Sequence, residues 1–111
     1  MTHAEAASVI NERAGLRPRV GVVLGSGLGA VADAVTDQTV IDYTELPGFP
    51  RPTVVGHGGR AVVGRVGEVP VAVLQGRAHV YEGGDVDAVR TPVRALRAAG
   101  AEILVLTNAA G

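Results

Sequence analysis

The chain has 111 residues, with 10 basic and 11 acidic side chains, for a formal net charge of −1. A hydrophobic fraction of 47% favours a packed domain over disorder, and a near-zero charge leaves no global field to draw nucleic acid or an anionic membrane. The absence of cysteine excludes disulfides and thiolate chemistry, and no apolar run approaches the roughly 20 residues needed to span a bilayer.

The opening stretch, MTHAEAASVINERAG, lacks the charged start and apolar centre of a secretory signal, so a cytoplasmic location is the default expectation. It reads as a helix over Thr2 to Ala14: Thr2 and Glu5 have capping-box spacing, and Gly15 supplies a stop. A short β-branched run from Arg19, RVGVVLG, reads as a buried strand. The GSGLG that follows from Gly25 is a tight loop, and LGAVADAV is a short helix. TVIDYTEL, from Thr39, reads as a second strand. The prolines of PGFPRP, Pro47 to Pro52, exclude regular structure, and VVGHGG from Val54 is a second glycine-rich loop. RAVVGRV and VPVAVLQ form a hairpin about Gly67 and Glu68.

DVDAVRTPVRALRAAG is helical, with Val86, Val89, Val93 and Leu96 as an apolar stripe opposite Arg90, Arg94 and Arg97. Pro92 either kinks this helix or starts a second segment capped by Thr91. EILVLTNAAG is a last buried strand running into a small-residue loop at the end of the chain. Strand, loop and helix units about apparently central strands argue for an α/β domain. A following helix would normally cover such a sheet, so the chain is expected to be a fragment of a larger domain.

Four stretches carry chemistry. In GVVLGSGLGA a strand runs through glycines into a helix, leaving free backbone N–H groups suited to an anion, with the Ser26 hydroxyl as a further donor. Gly25, Gly27 and Ala30 also fit a dinucleotide fingerprint with Asp42 as its acidic partner; a plain tight turn fits as well. In VLQGRAHVYEGG, extended backbone would set Arg77, His79 and Tyr81 on one face. Arg77 can fork two oxyanion oxygens, His79 can donate to the same anion, and Tyr81 offers a flat face with a polar tip suited to a sugar. A solvated loop with a partly buried tyrosine is the alternative. His57, between glycines, is either an exposed loop residue or one that swings onto a ligand. TNAAG, Thr107 to Gly111, is either a packed turn or a close backbone approach to an oxyanion. His3, His57 and His79 have no metal-binding spacing, so no metal is expected.

Taken in order, GVVLGSGLG, YTELPGFPRPTVVGHGGR, VLQGRAHVYEG and TPVRALRAAGAEILVLTNAAG strongly resemble the N-terminal part of the trimeric purine nucleoside phosphorylases, from about Val20 onward. The resemblance implies a three-layer α/β/α phosphorylase-like fold with a mixed central sheet, truncated after the NAAG segment, so that residues 1–111 form the N-terminal portion of one domain. It implies phosphate-dependent cleavage of purine nucleosides to free base and ribose 1-phosphate, with inorganic phosphate as co-substrate and no cofactor. It implies that Ser26, His57, Arg77, Ala78, His79 and Ala109 hold the phosphate and that Tyr81 contacts the ribose, with no ligand contact for Glu82. His79 would act as part of the cradle rather than as a nucleophile. The expected partners are a purine nucleoside and phosphate, not nucleic acid or a membrane, with a homotrimer for the full-length protein. The family's purine-binding glutamate and asparagine, its second phosphate-binding serine and a histidine near the sugar 5′ position come from the C-terminal half, so the isolated chain is expected to have negligible phosphorolysis. The dinucleotide module of an oxidoreductase, or an inactive remnant, remains the alternative reading.

Overall fold

The structure is a computed structural model and describes residues 2–23, 30–49, 59–75 and 87–106. Along the chain run α1 (Thr2–Ala14), β1 (Val20–Val23), α2 (Ala30–Asp33), β2 (Thr36–Asp42), a 3-10 turn (Tyr43–Glu45), β3 (Arg60–Val66), β4 (Val69–Gln75), α3 (Asp87–Ala99) and β5 (Ile103–Leu106). The strands form one mixed sheet in the order β2-β3-β4-β1-β5. β1 lies between β4 and β5 and is parallel to both, while β3 runs antiparallel to β2 and β4.

Side-chain alternation along the strands divides the core in two. Val23, Ile41, Ala61, Val63, Ala72 and Leu74 turn to one face, where Ala6, Ala7 and Ile10 of α1 and Ala95, Leu96 and Ala99 of α3 cover them. Val62, Val71 and Val73 turn to the other face and meet Ala32 and Val35, at and just beyond α2. This is the expected layering of helices on both sides of a mixed sheet, although α2 has only four residues and covers little. Gly21 permits the close seat of α3: a Cβ there would lie 2.8 Å from Leu96 Cδ1.

Local chemistry explains the helix ends. Gly15, at φ 69°, donates to the Asn11 carbonyl and closes α1 where the sequence predicts a stop. At the end of α3, Gly100 N–H reaches Arg97 O and Ala101 N–H reaches Leu96 O, the paired bonds of a Schellman cap. Arg97 Nη1 then donates to Ala101 O at 3.1 Å. The hairpin forms as predicted, with Val66 opposite Val69 and Gly67 at φ 63° in a two-residue turn.

Four expectations need correction. The second strand begins earlier and ends sooner than Thr39 to Leu46, because Tyr43 and Leu46 both enter the core and a Leu46 N–H to Tyr43 O bond closes a turn between them. Pro92 does not start a new segment capped by Thr91: it lies inside one continuous helix, its ring buried. The buried face of α3 is Pro92, Ala95, Leu96 and Ala99, with Val93 only half-buried; the side chains of Val86 and Val89 lie outside the described residues. Finally, Ile103, Leu104 and Val105 are exposed, so β5 is not a buried strand; among the described residues it pairs on one side alone, with β1.

Candidate active site

Five strands bring the chain to one margin of the sheet. The parallel strands β1, β4 and β5 end there at Val23, Gln75 and Leu106, and antiparallel β3 starts there at Arg60. The register aligns these ends, with Val23 beside Leu74 and Leu106, and Arg60 opposite both Gln75 and Asp42. Carboxyl ends of parallel strands are where α/β sheets collect ligands, because the connecting loops diverge there and leave a crevice.

Ser26, His57, Arg77, Ala78, His79, Tyr81 and Ala109 all lie outside the described residues, as do Gly25 and Gly27. Their points of attachment do not. Ser26 follows Val23 by three residues, His57 precedes Arg60 by three, Arg77 follows Gln75 by two and Ala109 follows Leu106 by three. Adjacent strands are about 4.8 Å apart, so the four attachment points from β3 to β5 span about 15 Å.

The described part of this margin has its own chemistry. Arg60 Nε donates to Gln75 Oε1 at 2.7 Å, a cross-strand bond that orients the guanidinium at the mouth of the hairpin. Neither residue stands out in the sequence as a functional candidate. The signal was nonetheless present, because a two-residue turn at Gly67 and Glu68 pairs Val66 with Val69 and, counting outward, Arg60 with Gln75. Beside them Tyr43 donates its backbone N–H to Gly59 O at 3.1 Å and packs its ring edge-on against Phe49, centroids 5.1 Å apart. Burial pushes the Tyr43 phenol above the range in which a tyrosine ordinarily ionises, and its hydroxyl has no hydrogen-bond partner among the described residues. Its ring packs in the core. Glu45, in the turn after β2, is held below the usual carboxylate range by a 2.9 Å bond from Arg13 of α1.

Asp42 does end β2, but β3 and β4 separate it from β1. A dinucleotide fingerprint needs its acidic residue on the strand next to the glycine-bearing one, in reach of a ribose whose pyrophosphate sits on the first turn. The strands beside β1 are β4 and β5, so Asp42 is misplaced for that role. Among the described residues no group of three or more potential metal ligands occurs, and no helix is long and apolar enough to cross a membrane.

Comparison with known proteins gives a consistent result. A family model described as the phosphorylase superfamily matches residues 19–111. A purine nucleoside phosphorylase of Mycobacterium tuberculosis is 54% identical over 108 residues, covering 96% of this chain and 40% of that protein. Two solved structures from Schistosoma mansoni superimpose on 99% of this chain. One is isoform 2 of purine nucleoside phosphorylase in complex with cytosine and ribose-1-phosphate (TM-score 0.90, 36% identity, 39% of that chain covered). The other is a purine nucleoside phosphorylase in complex with inosine (TM-score 0.88, 39% identity, 38% of that chain covered). The chain thus spans about two fifths of the length of the relatives it matches. With its sheet order, its layering and most of its length accounted for in this way, the chain belongs to the phosphorylase superfamily.

Proposed function

We propose that this chain is the N-terminal, phosphate-holding portion of a purine nucleoside phosphorylase domain. In the reaction, a phosphate oxygen attacks C1′ of a purine nucleoside, the bond from C1′ to the base nitrogen breaks, and ribose 1-phosphate and free base leave. Breaking a glycosidic bond builds oxocarbenium-like positive charge on the sugar. A held phosphate dianion both stabilises that charge and attacks it, so the protein needs a rigid anion cradle rather than a nucleophile of its own.

In this reading Arg77 forks two phosphate oxygens, Ser26 and His79 donate to others, and the backbone about Ala78 and Ala109 closes the cradle. His57 folds over the anion and Tyr81 bears on the ribose. Phosphate is the co-substrate, no further cofactor is required, and the full-length protein assembles as a homotrimer, as the family resemblance implies.

The observation that carries the reading is convergence. Four segments bearing these residues join the sheet at one margin, at strand ends in register. The ligands named for the Schistosoma relatives, ribose-1-phosphate and inosine, are a product and a substrate of this reaction. The test is a phosphate titration monitored by thermal unfolding, on the wild type and Arg77→Ala. A ligand at 100 times its Kd stabilises the folded state by about 2.7 kcal/mol. Phosphate is expected to raise the wild-type Tm and leave the variant unmoved. An equal shift in both, or none in either, rejects the cradle. Inosine phosphorolysis by residues 1–111 alone is expected to be negligible, and measurable turnover would overturn that part of the reading.

A further inference from the structure

Arg60 opens β3 and Gln75 closes β4, and the register sets them opposite one another. Side chains two residues apart on a strand share a face. Arg60 therefore shares the face of Val62, and Gln75 that of Val73, the side on which Ala32 and Val35 pack at and just beyond α2. The pair thus occupies one identified face of the sheet, at the margin to which the segments bearing Ser26, His57, Arg77 and Ala109 are attached.

Arg60 has two cross-strand neighbours, Asp42 of β2 on one side and Gln75 of β4 on the other. Directly opposed residues carry their side chains on one face, close enough to interact. Attraction between charges favours the carboxylate, yet Arg60 Nε donates to the neutral Gln75 Oε1 at 2.7 Å. Arg13 and Arg19 pair with carboxylates, those of Glu45 and Glu102. Among the described residues Arg60 and Asp42 form no such pair. The choice of partner has a direction. It turns Arg60 away from β2 and toward β4 and β1, the strands that lead into the Arg77 and Ser26 segments. A neutral acceptor also holds the guanidinium without cancelling its charge.

His57 lies three residues before Arg60, and Arg77 two residues after Gln75. A bond from Arg60 to Gln75 therefore joins, side chain to side chain, the roots of two segments that have to act on one anion. Such support matters because a displacement of about 1 Å from the productive geometry can cost a site about 100-fold. We propose that the Arg60–Gln75 bond is a positioning clasp of the anion site: it ties the root of the His57 segment to the root of the Arg77 segment, so that both meet the same phosphate. Neither member of the clasp touches the anion. The inference rests on the cradle proposed above.

The test is calorimetric titration of the 111-residue chain with inorganic phosphate, as wild type, Gln75→Ala, Arg60→Met and the double variant, with Arg77→Ala as the reference for the cradle. Gln75→Ala removes no charge, so it separates a clasp from a general excess of positive charge. It should weaken phosphate binding at least fivefold while the Tm in phosphate-free buffer stays within a few degrees of the wild type. Arg60→Met should lose at least as much, since it removes the charge as well. The double variant should match Arg60→Met within twofold, because the bond it breaks is already gone. Without phosphate, the amides of residues 57–60 and 75–77 should exchange at least threefold faster in Gln75→Ala, and those of α1 should keep their rates. Should Gln75→Ala melt far below the wild type, Gln75→Met, which keeps the length and loses the acceptor, takes its place. Unchanged phosphate affinity in a folded Gln75 variant, losses that multiply in the double variant, or unchanged amide exchange overturns the clasp; if Arg77→Ala still abolishes binding, the cradle stands without it. A wild type that binds no phosphate rejects the cradle and the clasp together.

Discussion

At the β2 margin the terminal strand is bent, polar and tied back onto the molecule; at the β5 margin it is straight, aliphatic and open. Gln38 makes the contrast concrete. Its Nε2 donates to both Ala32 O and Val35 O at 2.9 Å, satisfying the carbonyls at the end of α2 while stitching β2 to it. At the other margin the interactions among the described residues lie on the inner side. Arg19 O accepts from Glu102 and Ile103, and the Arg19 guanidinium meets Glu102 at 3.2 Å, exposed to water. A strand that ends a sheet must satisfy its own edge, whereas a strand inside one can leave that to a neighbour. The same sheet therefore shows one bent, polar border and one aliphatic, exposed border.

The contrast is most severely tested by removing what holds the open side down. Leu96 is fully buried under Gly21 and Leu104, so Leu96→Ala should cost about 2–5 kcal/mol in urea unfolding. Amide exchange should then show β5 and β1 opening before β2 and β3; the reverse order would break the comparison. Gly64→Ala attacks the bent, polar border. A Cβ there would fall on the Thr36 carbonyl oxygen and crowd Val35, so β2 must shift. The expected loss is about 1–3 kcal/mol, with exchange rising at β2 and not at β5.

Tyr43, just past β2, provides a smaller and pH-dependent effect. Its phenol ionises less readily folded than unfolded, because burial disfavours the anion. Above the ordinary tyrosine pKa of about 10, the unfolded chain loses a proton that the folded one retains, so stability present below pH 10 is lost as pH rises, by up to about 1.4 kcal/mol per unit. Tyr43→Phe should flatten that slope in unfolding titrations from pH 8 to 11. It should also cost little at neutral pH, since the buried hydroxyl it removes has no partner among the described residues.

The Arg13–Glu45 pair, linking α1 to the turn after β2, should matter least, because both side chains are about half exposed. Glu45 is depressed, so its contribution is present above its unfolded pKa and fades as pH falls. Arg13→Ala should remove that small acid loss, and added salt should have the same effect. A large effect of this substitution on urea unfolding would mean that the β2 side depends on its surface rather than on its packing.

Much of the fold could be read from local pattern. Thr2 to Ala14 folds as predicted, and its glycine stop lies in the same stretch of chain. The hairpin about Gly67 is equally local. The end of β2 was misread because Tyr43 and Leu46 are claimed by a core assembled from α1, β3 and β4, which no window around residue 43 contains. The site divides the same way. Types of residue and their proximity to strand ends were legible, as were the motifs that signal the family. The bond between Arg60 and Gln75 needed only the hairpin register.

By itself the sequence determined most of the elements, the hairpin turn and the phosphorylase kinship, since each depends on residues close together in the chain or on motifs that read in order. Only the tertiary structure decided that β3 and β4 come between β2 and β1, which takes Asp42 out of a dinucleotide role. It alone decided that an apolar last strand lies open on the border of the sheet. The physical reason is that hydrophobicity records what a segment can bury, while strand order decides whether a neighbour is there to bury it against.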